Sequence, residues 1–358
     1  MDRKPILLDH QRVWRTYTGG RRLNGLLHQC REEHYPEEWI LSVTEARNAG
    51  REQTGEGLSM VAEEPGLSLK ELVESDPKYY LGSTSGRMGV LVKLIDSAER
   101  LTVQVHPDHE KARELFHSPY GKTECWYILE DKKEGEEPPS VYLGFREGIT
   151  RTQWKRMFEE QDIGGMLGMM HRFQVKKGDM ILVEGGVPHA IGANCFLAEI
   201  QEPTDYTIRI ERRTPAGFSV ADELCHQGLG FERMFDCFSY EGISEEEARR
   251  RWFVAPKPQD RCRRQLLGEP ETSLFSLYEV EVEEGEHCET ECGQGFCGFY
   301  LLEGAGQVRY EGGALSVRAP EQIFVPAAFS QVTFMPEKGS GMRLLQFFGP
   351  RMEGRDAD

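Results

Sequence analysis

The fold is decided by the stretch Leu101-Thr102-Val103-Gln104-Val105-His106-Pro107-Asp108. Polar and apolar residues alternate through most of it, which is typical of a β-strand with one buried face. Gln104 and His106 lie two residues apart, so their side chains leave the same face of the strand. The stretch therefore predicts a strand that presents an amide and an imidazole side by side.

Two residues further along the chain could complete a metal site with this pair. Glu124 ends the segment Lys122-Thr123-Glu124, and His189 lies in Val187-Pro188-His189-Ala190-Ile191-Gly192. Two imidazoles, a carboxylate and an amide oxygen form an N/O ligand set that suits zinc or a similar divalent ion. A rigid sheet can supply such a set from separate strands. The predicted ligands are Gln104, His106, Glu124 and His189.

The composition is that of a folded protein, with 39% hydrophobic and 29% charged residues among 358 positions. No apolar run approaches the ~18 residues that a membrane span needs, and the N-terminal residues lack the apolar core of a signal peptide. The net charge of −17 argues against nucleic acid or an anionic membrane as a partner, because both require a basic face. The nine cysteines include no Cys-x-x-Cys pair, so we expect a reduced, cytoplasmic setting.

Short alternating segments separated by glycine turns recur along the chain, which predicts an all-β protein with a closed or double-sheet architecture. The charged region 240–262 has poor apolar periodicity, and we place a domain boundary there. Both halves share the order strand, glycine turn, strand, Val-Pro-small residue, which indicates a divergent internal duplication. No histidine lies near Val325-Pro326-Ala327, so we expect domain 241–358 to lack the metal ligands of domain 1–240.

Two segments break the β pattern. Apolar residues recur at three-to-four spacing from Thr150 to His171, which predicts a small helical insert at about 150–172 whose methionine-rich stripe is core. A short helix is also expected over 108–116, with acidic residues at its start. Three other histidines, His109, His117 and His171, are expected to be exposed, and Cys288 and Cys292 to be free thiols.

The segments Gln104-Val-His-Pro, Lys122-Thr-Glu, His189-Ala-Ile-Gly and Glu199-Ile-Gln together resemble the class I mannose-6-phosphate isomerase family. The resemblance covers residues 87–217. The segment 178–194 is also similar to the second sequence motif of the cupin superfamily, to which that family belongs. The resemblance implies a double-stranded β-helix, or cupin jelly roll, in two cupin-like domains. It also implies one zinc ion per chain and the interconversion of mannose 6-phosphate and fructose 6-phosphate, a reaction of carbohydrate metabolism.

Carried over by position, the resemblance makes Gln104, His106, Glu124 and His189 the zinc ligands. Arg209 matches an arginine assigned as catalytic, and Lys93, Lys122 and Glu199 match residues of the substrate pocket. Aldose–ketose conversion passes through an enediol that carries negative charge on two oxygens, and a guanidinium suits its stabilisation better than it suits the role of base. Either lysine could bind the phosphate or shuttle the proton, and Glu199 could contact substrate or orient a ligand.

Three alternative functions are compatible with the same residues. A cupin of this kind could isomerise or epimerise another sugar phosphate, or act as a metal-dependent oxygenase. The segment Asp205-Tyr206-Thr207-Ile208-Arg209 departs from the family pattern of Asp-Thr-Thr-Tyr-Arg, which favours a third alternative, a non-catalytic sugar-binding or regulatory protein. A sugar phosphate is the expected small-molecule partner.

Overall fold

A computed structural model describes residues 3–51, 54–82, 87–293 and 295–350 of the chain. Strands outweigh helices in it, as the expected all-β class requires. The strands are, in chain order, β1 (Ile6–Leu8), β2 (Gln11–Val13), β3 (Glu37–Ile40), β4 (Leu91–Asp96), β5 (Gln104–Val105), β6 (Glu124–Ile128), β7 (Ser140–Phe145), β8 (Met170–Gln174), β9 (Met180–Val183), β10 (His189–Ile191), β11 (Phe196–Gln201), β12 (Ile208–Arg209), β13 (Phe253–Val254), β14 (Lys257–Pro258), β15 (Arg263–Leu267), β16 (Ser276–Val282), β17 (Cys288–Glu291), β18 (Cys297–Tyr310), β19 (Gly313–Arg318), β20 (Glu321–Val325), β21 (Gln331–Pro336) and β22 (Met342–Phe348).

The helices are short and connect or cover the strands. They are α1 (Arg21–Leu26), α2 (Leu69–Ser75), α3 (Pro77–Leu81), α4 (His109–Phe116), α5 (Arg151–Glu160), α6 (Ile163–Gly168), α7 (Asp222–His226), α8 (Gly230–Arg233) and α9 (Glu245–Trp252), with a 3-10 turn at Met234–Cys237. The expected helix over 108–116 is confirmed, and the side chain of Asp108 caps it by accepting the backbone N–H of Lys111. In the described part of the chain, none of these helices combines the length and apolarity needed to cross a membrane.

The strands form three antiparallel sheets. A seven-stranded sheet has the order β13-β9-β6-β11-β4-β3-β2, and a five-stranded sheet has the order β12-β5-β10-β7-β8. A ten-stranded sheet contains β1 and the strands from β14 onward, with the path β1-β20-β18-β22-β16-β15-β14. In this sheet Ile6 of the first strand lies opposite Phe324. β1 therefore completes a sheet that is made otherwise of β14–β22.

The seven-stranded sheet lies in the middle and is covered on both faces. On one face, Trp126 and Leu197 pack with Leu143 and Ile191 of the five-stranded sheet. On the other face, residues such as Leu94 share a core with the ten-stranded sheet. Every residue of β4, β6 and β11 is consequently buried. Any charged side chain on these three strands must find its partners inside the protein.

The predicted helical insert is present as α5 and α6. Thr150 begins it with a capping box, because its side chain accepts the Gln153 N–H while the Gln153 side chain accepts the Thr150 N–H. Trp154, Met157 and Met166 are buried in one apolar cluster. The interpretation of the methionine-rich stripe as core is confirmed.

Two predictions about single side chains were wrong. His171 is only 2% exposed, because β8 carries it beneath the segment around Ile243, whose carbonyl lies 2.9 Å from its Nε2 atom. Cys288 is not a free thiol but forms a disulfide with Cys262, from the turn that precedes β15. Pairing of β15 with β16 brings that turn beside β17, a contact that cysteine spacing does not indicate. Cys292 is free, and His109 and His117 are exposed, as predicted.

A buried carboxylate joins the central sheet to the ten-stranded sheet. Glu38 of β3 has no exposure to solvent. It accepts a hydrogen bond of 2.7 Å from the Tyr300 hydroxyl and one of 2.9 Å from the Gln322 amide. His10 Nδ1 lies 2.5 Å from the same carboxylate. Hydrogen bonds to a buried charge are stronger than neutral ones, so this contact stabilises the packing of the two sheets.

We expect Tyr300→Phe to lower the free energy of unfolding by about 1.5–3 kcal/mol, because it removes a hydrogen bond to a buried charged group. Denaturant unfolding followed by circular dichroism measures this loss. Tyr310→Phe on the same strand is the matched control, since its hydroxyl makes no hydrogen bond to the described residues. Equal stability of the two variants would show that the Glu38 contact does not hold the sheets together.

Candidate metal centre and cleft

Three neighbouring strands of the five-stranded sheet place Arg209, Gln104 and His189 in one row. β5 lies between β12 and β10, and Gln104 is paired with Arg209 on one side and with His189 on the other. Directly opposed residues on antiparallel strands point to the same face of the sheet. The guanidinium, the amide and the imidazole therefore share one surface, and Gln104 Nε2 lies 3.2 Å from His189 Nε2.

Glu124, the first residue of β6, reaches this row from the facing sheet. Its carboxylate oxygens lie 3.1 Å from His106 Nε2 and 3.4 Å from His189 Nε2. Neighbouring ligands of a tetrahedral ion bound at about 2.1 Å are separated by roughly 3.4 Å. The three side chains are buried, and their ligand atoms lie within 4.8 Å of one another. This cluster has the donors and the spacing of a metal site.

Backbone carbonyls determine which nitrogen of each imidazole carries the proton. His106 Nδ1 donates to the carbonyl of Tyr206 at 2.8 Å, and His189 Nδ1 donates to that of Val187 at 2.9 Å. A carbonyl only accepts, so each Nε2 keeps its lone pair and directs it toward Glu124. Burial is the main cause that lowers the pKa of His106 to about 3, and it also lowers the pKa of His189. Both imidazoles are thus neutral, which is the form that binds metals.

Lys122 brings positive charge to the cluster. Its ammonium donates to Glu124 at 2.6 Å and to His106 Nε2 at 2.8 Å. Burial alone would raise the pKa of Glu124, but the charge of Lys122 leads the opposing causes, and together they hold that pKa well below its usual range. Glu124 is therefore ionised although it has no exposure to solvent. The cluster is built around a carboxylate that needs a cation beside it.

A narrow cleft lies against the cluster, and charged side chains dominate its walls. Lys93 pairs with Glu199 at 3.1 Å, whereas Arg15 pairs with Glu37 at 2.9 Å and with Asp205 at 3.2 Å. Burial, followed by the charge of the nearby Glu124, raises the pKa of Glu199. The charged or amide side chains that line the cleft are Arg15, Glu37, Asn48, Lys93, Gln104, Lys122, Glu199, Asp205 and Arg209.

Arg209 differs from the other cations of the cleft in its partners. It donates through Nη1 to the carbonyls of Thr207 at 3.2 Å and Leu224 at 3.0 Å. It makes no ion pair with a carboxylate in the described ranges, although it lines the cleft. Burial lowers the pKa of Arg209, but a guanidinium remains protonated in proteins. Arg209 therefore carries a fixed positive charge, and its Nε and Nη2 groups make no hydrogen bond to the described residues.

The chain resembles several known proteins in sequence or in fold. No family model matches the sequence. The chain is 34% identical over 146 residues to the Bacillus subtilis protein named "Probable mannose-6-phosphate isomerase GmuF", a match that spans 40% of the chain and 44% of that relative. The crystal structure of the mannose 6-phosphate isomerase from Bacillus subtilis has a TM-score of 0.75 to this fold, at 22% identity, over 96% of the chain and 99% of that structure.

The chain is similar to mannose-6-phosphate isomerases in sequence and in fold. The predicted resemblance to mannose-6-phosphate isomerases is confirmed, and the mostly β fold is that of the solved mannose-6-phosphate isomerases. A zinc-bound mannose 6-phosphate isomerase has the same fold, with a TM-score of 0.72 at 14% identity over 97% of the chain and 99% of that structure. The sequence match to GmuF spans less than half of that relative's length.

The fold brings together all of the site residues that the sequence singled out. Gln104, His106, Glu124 and His189 converge at the cluster, and Lys122 lies among them. Lys93, Glu199 and Arg209 line the adjoining cleft. Their assignment to metal, substrate and catalysis stays a prediction of the relationship to mannose-6-phosphate isomerases.

Five further residues of the site were not singled out: Trp126, Asp205, Arg15, Glu37 and Asn48. Trp126 follows Glu124 by two positions on the same strand, so strand periodicity could have placed it on the same face. Asp205 lies in a segment already compared with the family. Arg15 and Glu37 carry no such signal, because Arg15 reaches Asp205 across 190 residues of sequence.

We expect Glu124→Gln to lower the free energy of unfolding of the metal-free protein by about 3–5 kcal/mol, because it leaves Lys122 as an uncompensated buried charge. Denaturant unfolding in the presence of a chelator measures the loss. Glu184→Gln is the control, since its 2.8 Å pair with Arg251 is partly exposed and such pairs contribute about 0–1 kcal/mol. A loss no larger than that of the control would contradict the electrostatic role given to Glu124.

Proposed function

We propose that the chain is a zinc-dependent aldose–ketose isomerase that interconverts mannose 6-phosphate and fructose 6-phosphate through an enediol intermediate. The observation that carries this proposal is the buried cluster of His106, Glu124 and His189 beside a cleft lined with cations. The relationship to mannose-6-phosphate isomerases supports the choice of substrate.

Gln104, His106, Glu124 and His189 would hold the one zinc ion. The donor chemistry fits, because two Nε2 lone pairs are directed toward an ionised carboxylate and the Gln104 amide carries the oxygen that would complete the set. When bound, zinc supplies Lewis-acid stabilisation of the charge that develops on the substrate oxygens. Among the described residues, this is the cluster of histidines and acids whose spacing suits a metal ion.

The charge balance of the cleft favours an anionic substrate once zinc is present. The cations Arg15, Lys93, Lys122 and Arg209 are matched by the four carboxylates Glu37, Glu124, Glu199 and Asp205. A divalent ion would give this neutral set an excess of two positive charges. A phosphate monoester carries about −1.5 to −2 at pH 7, so a sugar phosphate would restore neutrality.

Arg209 would stabilise the enediol directly. Its contacts to two backbone carbonyls hold the guanidinium in place without neutralising it. Negative charge that develops on the O1 and O2 atoms of the sugar would therefore meet a preorganised cation, which is the most effective form of electrostatic catalysis. We assign Arg209 this catalytic role.

The other cleft residues would bind and orient the sugar phosphate. Burial lowers the pKa of Lys93, but Glu199 and Glu37 outweigh this effect and the net result is a raised pKa. Lys93 thus stays protonated and suits phosphate binding. Lys122 and Glu199 would contact the sugar, and the raised pKa of Glu199 gives it the capacity to exchange a proton during isomerisation.

We also propose the finer architecture expected from the sequence. Residues 1–240 would form a metal-binding cupin jelly roll, and residues 241–358 a cupin-like domain without metal ligands, with β1 pairing in the sheet of the second domain and β13 in that of the first. The face-to-face packing of the five- and seven-stranded antiparallel sheets supports the first assignment. The cytoplasmic location remains a prediction from composition.

The decisive experiment is turnover of mannose 6-phosphate to fructose 6-phosphate by the purified protein, before chelation, after chelation and after zinc is restored. We expect activity to be lost with the metal and recovered with one zinc per chain. Bound zinc without fructose 6-phosphate would overturn the proposed substrate and direct attention to other sugar phosphates. Oxygen uptake would instead identify an oxygenase, and sugar-phosphate binding without turnover a regulatory protein.

We expect Arg209→Gln to lower kcat by about 10²–10³-fold, the usual effect of removing one preorganised donor from a transition state. Zinc content, measured by metal analysis, should be unchanged because Arg209 is not a proposed ligand. Arg212→Gln is the control, because that arginine is exposed and pairs with Asp222 at the surface. Similar rates for the two variants would exclude Arg209 from the chemistry.

A further inference from the structure

The indole of Trp126 lies between two buried carboxylates. Trp126 Nε1 is 3.1 Å from Glu124 Oε1 and 3.2 Å from Glu199 Oε2. The register of the central sheet explains this position, because Glu199 on β11 is paired directly with Trp126 and Glu124 is two residues before it on β6. One N–H group thus serves both carboxylates.

This arrangement answers an electrostatic difficulty. Glu124 is fully buried and Glu199 is 3% exposed. Water therefore does not solvate these two carboxylates or screen the repulsion between them. Lys122 compensates Glu124 and Lys93 compensates Glu199, each from its own side. The indole N–H lies between the carboxylates, where neither lysine donates a bond.

The same side chain also touches a proposed ligand. The Trp126 ring meets the His189 ring edge-on, with centroids 5.5 Å apart and planes inclined at 68°. Trp126 itself has no exposure to solvent, so its ring is fixed by the surrounding core. A rigid aromatic side chain therefore constrains both Glu124 and His189.

We propose that Trp126 is a positioning residue of the metal centre, which holds the Glu124 carboxylate in its ligating orientation and keeps it apart from Glu199. This inference rests on the proposed zinc site. Outer partners of metal ligands act by fixing ligand orientation, and their loss weakens metal binding by about 10–100-fold. Trp126 contacts two of the four proposed ligands, Glu124 by hydrogen bond and His189 by ring packing.

The test is the zinc dissociation constant of Trp126→Phe, measured by competition with a chromophoric chelator. Phenylalanine keeps an aromatic ring in the core but removes the N–H, so we expect zinc binding to weaken by about 10–100-fold. Unchanged zinc affinity in the folded variant would overturn the proposal.

Trp154→Phe is the matched control. Trp154 is equally buried, and its Nε1 atom has no hydrogen-bond partner in the described structure. We expect this variant to lose packing but to keep wild-type zinc affinity. An equal loss of zinc affinity in both variants would assign the effect to general core packing and refute the specific role of Trp126.

A second substitution tests the separation of charges. In Trp126→Phe combined with Glu199→Gln, one of the two facing negative charges is gone, so zinc affinity should recover toward that of the wild type. Non-additivity of this kind is the signature of coupled neighbours. Absence of recovery would contradict the role of Trp126 in keeping the carboxylates apart.

The wild-type protein provides a test that does not require the variant to fold. Five tryptophans are present, and ¹⁵N labelling of their indoles gives separate N–H signals. We expect the Trp126 signal to shift when zinc is added to the metal-free protein, and that of Trp154 to stay in place. If zinc binds and no indole signal moves, the proposal for Trp126 fails. If the wild type binds no zinc, the proposed function fails instead.

Discussion

A carboxylate that is excluded from water must be matched by positive charge or by N–H donors, and much of this structure is arranged around such a group at Glu124. Lys122, His106, His189 and Trp126 surround it, and all of them are buried. These side chains come from both of the facing sheets. Their convergence therefore requires the two sheets to pack in one fixed relative position. The compensation of the Glu124 charge thus depends on how the two sheets are aligned.

The metal cluster lies on one face of the central sheet, and the packing against the ten-stranded sheet lies on the other. On β6, Glu124 and Trp126 face the metal cluster, whereas Tyr127 points to the opposite side and donates to Glu279 of the ten-stranded sheet at 3.0 Å. Alternation along one strand thus serves the site on one face and sheet packing on the other. Glu38 on β3 makes a second buried polar contact across the same joint.

The sequence was sufficient for the parts of the site that depend on local pattern. Gln104 and His106 lie two apart on one strand, and such periodicity predicts a shared face without knowledge of the fold. The partners that depend on tertiary contacts could not be predicted in this way. Arg15 meets Asp205 only because two connecting segments 190 residues apart in sequence are brought together, and the burial of His171 depends on a segment 72 residues later in the chain. The periodicity of a sequence describes one strand at a time, whereas the compensation of buried charges involves side chains from several parts of the chain.

The pairing of β1 with β20 has a consequence for how the polypeptide matures. Ile6 lies opposite Phe324, so this edge of β1 has no partner until the chain has been made as far as β20. Until then that edge of β1 is unpaired, and unpaired strand edges promote aggregation during folding. Closure of this sheet is a late event, because contacts between residues so far apart in sequence form slowly.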